Sequence, residues 1–116
     1  MKIIDVAKPE RVNRLPDRSV KLFSGNYSEQ GFIIKSVELR QYEEKSDQKS
    51  DSCSLITSLV ETDKGSIEIT YYEGKVGKNS LDEARELLVS NLGLSGLILR
   101  SIIILKEEIK KHNGHS

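Results

Sequence analysis

Apolar and polar residues change period once along this chain, from near two before residue 74 to near 3.6 after residue 79. Ser66 to Glu73 alternates most regularly. Ile67, Ile69 and Tyr71 fall on one face, and Glu68, Thr70 and Tyr72 on the other. Cys53 to Glu61 reads as the strand before it, and Thr62-Asp63-Lys64-Gly65 as the turn between them, with Gly65 suited to positive φ. Gly31 to Glu44 is the longest strand segment. Its parity is mixed, because Phe32 and Ile34 share one face while Ile33, Val37 and Leu39 share the other. A β-bulge, or burial of both faces near Phe32–Ile34, accounts for this. Residues 45–52 (KSDQKSDS) hold no apolar side chain and read as a mobile hairpin tip. Residues 31–73 therefore predict a three-stranded antiparallel meander. Ser19 to Ser24 (SVKLFS), ended by Gly25-Asn26, and Met1 to Val6 add strands to it. Between them, Pro9 and Pro16 bracket ERVNRL and leave room for at most a turn or two of helix.

After the connector GKVGKN (residues 74–79) the pattern is helical. Ser80-Leu81-Asp82-Glu83 has the form of a capping box, and its two carboxylates suit the positive end of the helix dipole. Leu81, Ala84, Leu88 and Leu92 mark one apolar stripe, which Gly93 ends as a C′ residue. A second helix runs from a Ser95 cap to about Lys111, with Leu94, Ile98, Ile102, Leu105 and Ile109 as its core stripe. The rival reading makes residues 97–105 a strand, since three consecutive Ile favour β structure. Helix is preferred because Glu107, Glu108 and Ile109 continue its period. The expectation is one α+β domain over residues 1–116. An antiparallel sheet of four to five strands is followed by a C-terminal two-helix hairpin and a disordered tail, residues 112–116.

Composition sets limits on this picture. The chain has 116 residues, enough to bury a core without disulfides or metal. Aromatics make up 5% and Trp is absent, so Ile, Leu and Val must carry that core. Formal net charge is zero at pH 7, which argues against coating nucleic acid through bulk charge. The charge is unevenly spread, with +3 over residues 1–25, −5 over 26–73 and +2 over 74–116. One cysteine, Cys53, excludes an internal disulfide and suggests a reducing, cytoplasmic setting. Met1 to Glu10 holds no apolar run of signal length, and Leu97–Leu105 is too short to span a bilayer.

Little in the chain points to catalysis. The two histidines, His112 and His115, lie within the last five residues, remote from Cys53 and from any serine in the sheet. Their spacing matches no established metal site. Glu43-Glu44 and Glu107-Glu108 are sequence neighbours whose side chains diverge on a strand or helix, so neither makes an acid/base dyad. No phosphate-binding glycine signature is present, and no cofactor is expected. Arg11, Arg14 and Arg18 form a basic N-terminal cluster that, with Tyr72, Arg85 and Arg100, suits an anionic ligand or an acidic partner.

The segment Leu88 to Leu105, with Leu88, Leu92, Leu94, Leu99 and Ile102 at core positions around Gly93, resembles a helix-turn-helix. It is also similar to the helical pair of ribbon-helix-helix repressors. Either resemblance implies a DNA-binding regulator using residues 81–111. The second helix departs from the pattern by offering Gly96, Leu97, Arg100, Ser101 and Ile104 where base-reading polar residues would stand. The leading expectation is a non-enzymatic regulatory or interaction protein that acts as a homo-oligomer, with a dimer favoured. One stripe of the second helix docks on the sheet, which leaves Leu97, Leu99, Ile103 and Ile104 as the oligomer interface. DNA binding, and small anionic ligands held in a sheet–helix pocket, are the alternatives.

Overall fold

The computed structural model of the chain describes residues 8–9, 15–45, 52–74 and 80–113. They form an α+β fold: a four-stranded antiparallel meander with a short edge strand, followed by two helices. The strands are β1 (Lys8–Pro9), β2 (Arg18–Glu29), β3 (Phe32–Lys45), β4 (Ser52–Thr62) and β5 (Gly65–Gly74), in sheet order β1-β5-β4-β3-β2. The helices are α1 (Ser80–Asn91) and α2 (Gly93–Asn113). The strand expected at Met1–Val6, and all of the ERVNRL segment but Leu15, where a helical turn is expected, lie outside the described residues.

Bulges decide which side chains reach the core. Ile34 faces Thr62 and Ser36 faces Glu61, so Lys35 is one residue too many on β3. That extra residue resets the alternation, and Phe32, Ile34, Val37 and Leu39 all become buried. Tyr71 is the extra residue on β5, between Thr70 opposite Thr57 and Tyr72 opposite Ile56. It is buried with Ile67 and Ile69, and Tyr72 is half-buried.

β2 corrects the expectation that Gly25-Asn26 ends the first meander strand. The strand continues to Glu29, and irregularities at Lys21/Phe23 and Ser24/Tyr27 absorb the misfit. The reversal falls instead at Gln30-Gly31, where φ is 49° and 85°. Two consecutive positive φ angles make the type of two-residue loop that matches strand twist. The second reversal, Asp63-Lys64, precedes Gly65 at φ 134°. It is tied to β3, since the Ile33 amide donates to Asp63 Oδ1 at 2.8 Å and the Asp63 amide donates to the Ile33 carbonyl at 3.1 Å. Lys45 pairs with Ser52, so the ends of the expected loop 45–52 belong to strands.

Residues 97–105 are helical, and α2 extends to Asn113, past His112. Leu92 alone separates the two helices, which meet at 87°, and Gly93 takes the positive φ of 71° at the corner. α1 lies against β2 and β3, while α2 lies against β5, β4 and β3. Leu81 and Leu88 from α1, and Leu97, Ile98, Ile102 and Leu105 from α2, close the core over the sheet.

Candidate interaction surface

α2 buries more than one stripe. Leu97 is fully buried, at 0% exposure, beside Ile98, Ser101, Ile102 and Leu105. Ile104 is half-buried and packs against the same core. Two of the four residues expected at an oligomer interface are thus absorbed by the chain itself. The reason is the 87° corner. It leaves α1 over β2 and β3 and gives α2 its own broad bed on the sheet. Leu99 and Ile103 remain, 37% and 55% exposed and one turn apart. Ser95, Lys106, Glu107 and Lys110 are exposed with them, and Gly96 is half-buried between. Lys106 Nζ donates to Gln30 Oε1 at 2.6 Å, which fixes α2 to the β2–β3 turn.

Among the described residues, Arg18, Arg85 and Arg100 are not gathered into one site. Arg11 and Arg14 lie outside the described residues. Arg18 faces Gln41, which faces Ile56, which faces Tyr72. Arg18 and Tyr72 therefore share a row but stand about 14 Å apart at the usual strand spacing. Arg100 lies on the core side of that row, its guanidinium 6.0 Å from the centre of the Tyr71 ring. Arg85 is on α1, in a groove of about 800 Å³ shared with Leu22, Asp82, Glu86, Val89, Ser90 and Leu94. Asp82 and Glu86 give that groove a net negative charge despite Arg85.

A buried polar network lies on the sheet face away from the helices, and no sequence motif announced it. Glu68 is 8% exposed, and its Oε2 accepts from Tyr42 Oη at 2.7 Å and from Thr57 Oγ1 at 2.6 Å. Arg40 donates to Tyr42 Oη at 3.1 Å and pairs with Glu38. These residues come from three strands, so only the cross-strand register could have linked them.

Two buried phenols are held above their ordinary pKa of 10.0. Burial is the main cause for Tyr42, and the hydrogen bond to Glu68 adds to it. Burial also raises Tyr71, against an opposing pull from Arg100 and Ser58. The Tyr71 hydroxyl lies near both of these groups but makes a well-formed hydrogen bond to neither. A raised folded-state pKa means that this stabilisation is complete below pH 10 and is lost as pH climbs through the folded-state values. Thermal melts from about pH 9 to pH 12 should fall steeply for wild type and more gently for Tyr42→Phe and Tyr71→Phe. Melts that stay flat over that range would contradict this account.

No family model, no curated protein and no solved structure matches the chain. Among the described residues, no single helix is long and apolar enough to cross a membrane.

Proposed function

We propose that this protein is a non-enzymatic interaction module that works as a homo-oligomer, joined through the exposed stripe of α2. The observation that carries the reading is the pair Leu99 and Ile103, one turn apart and left uncovered on a helix whose other apolar residues are packed. Full burial of such a side chain is worth about 1.5–3 kcal/mol. Scaled by their exposures, the two together gain roughly that amount per copy on association. This is modest beside the cost of bringing two molecules together, so the dimer should be concentration-dependent. The lone Cys53 supports a reducing, cytoplasmic setting.

The groove between α1 and β2 favours a second reading, a binder of small ligands. Its Leu22, Val89 and Leu94 would take an apolar body, and its acidic excess suits a cationic group better than the anion expected from Arg85. A DNA-binding role draws less support. Leu99 and Ile103 occupy the face a recognition helix would turn to bases, and Arg100 is laid over Tyr71.

Sedimentation equilibrium tests the leading reading. Wild type should move from monomer to dimer on reaching roughly 100 μM, the affinity range of a weak interface. Ile103→Glu should stay monomeric with an unchanged circular dichroism spectrum. A wild type that stays monomeric at several times that concentration would sink the proposal.

A further inference from the structure

We infer that the occupant of the α2 stripe is the same stripe of a second copy, in antiparallel orientation about a two-fold axis passing near residue 101. This rests on the self-association reading above and adds its geometry.

Half-buried Gly96 and exposed Leu99, Ile103, Lys106 and Lys110 follow one another along α2 at alternating steps of three and four residues, the spacing of a helix-pairing seam. Only the middle of the seam is apolar; its C-terminal half is basic. A parallel, in-register dimer would set Lys106 against the partner's Lys106 and Lys110 against the partner's Lys110, and such like-charge contacts are strongly disfavoured. The antiparallel arrangement removes both clashes. Leu99 then meets the partner's Ile103, and Ile103 meets the partner's Leu99, so the two apolar residues cover each other.

The ends of the seam match as well. With the axis near residue 101, helical rise carries Glu107 to the level of the partner's Ser95, in the first turn of α2, while Lys106 comes level with the partner's Gly96. That turn contains no acidic residue of its own, so the positive end of its dipole lacks a carboxylate. Lys110 arrives at the level of the partner's Leu92, where α1 ends. The last turn of α1 contains no basic residue, so Lys110 supplies the cation that its carbonyl end lacks. Gly96 contributes by having no side chain, which lets the two backbones approach. A Cβ there would also come within 3.0 Å of Leu92 Cβ in the same chain.

Disulfide trapping reads the orientation directly. In a Cys53→Ser background, Leu99→Cys and Ile103→Cys proteins are mixed in equal amounts and oxidised at a concentration where wild type is dimeric. The mixed Leu99→Cys/Ile103→Cys disulfide should dominate over both same-variant disulfides. Glu107→Lys should also weaken wild-type dimerisation by about 2–5-fold at each of the two symmetric contacts. A dimer that yields mainly same-variant disulfides, or none, overturns the antiparallel geometry while leaving self-association in place. A wild type that never dimerises overturns both.

Discussion

Leu97→Ala is expected to cost about 2–5 kcal/mol of folding stability, while Ile103→Ala should change it by no more than about 0.5 kcal/mol. Both residues belong to the apolar surplus of one helix, and sequence alone gives no way to separate them. The structure separates them sharply, since Leu97 is fully buried and Ile103 is 55% exposed. Truncating Leu97 opens a cavity in the buried cluster to which it belongs, and a close-packed interior relaxes only partly around such a gap. Truncating Ile103 removes a side chain that already faces water in the single chain. Its effect should appear in the monomer–dimer equilibrium instead. Urea melts at low protein concentration, where the monomer prevails, measure the first quantity without the second. Equal losses for the two variants under those conditions would mean that Ile103 is packed within its own chain.

The contrast between these residues shows what the chain discloses and what it withholds. Periodicity located the meander and both helices, because half-buried strands and amphipathic helices write their faces into the sequence at fixed spacings. Mixed parity in Phe32–Leu39 foretold the bulge that Lys35 supplies. Gly25-Asn26 misled, because glycine marks bulges as readily as turns. The true reversal at Gln30-Gly31 places a glutamine at a positive φ that this residue type seldom adopts. Leu97 departs from its expected place for a different reason. How wide a face a helix buries depends on what lies beside it, and here the 87° corner between the helices sets that width. Composition groups the basic residues, and among the described ones the register and the corner set Arg18, Arg85 and Arg100 apart. Each of these errors concerns the relation between elements, which a local pattern does not record.

Glu68→Ala is expected to be as costly as a core truncation, about 3–5 kcal/mol, the order of two buried hydrogen bonds to a carboxylate. By alternation Glu68 is an ordinary outward-facing strand carboxylate, yet it is 8% exposed and accepts from both Tyr42 and Thr57. Hydrogen bonds to a charged acceptor are worth about 1.5–3 kcal/mol each. Their loss also leaves the Thr57 hydroxyl and the Tyr42 O–H proton without this acceptor in a buried place, which adds a desolvation cost, although Arg40 still donates to Tyr42 Oη. Glu68→Gln keeps the shape and one acceptor oxygen but gives up the charge, so its cost should fall well below that of Glu68→Ala. Thr57→Val in the Glu68→Ala background should then cost less than it does alone, because its partner has already gone. The consequence reaches the other face of the sheet. Tyr42, Thr57 and Glu68 sit on β3, β4 and β5, the three strands α2 rests on. Fixing their relative register holds the bed that presents Leu99 and Ile103 outward. Chemical denaturation of wild type and these four variants settles the point. If Glu68→Ala is as stable as wild type, or if the Thr57→Val effect is the same in both backgrounds, then the network does not hold these strands together.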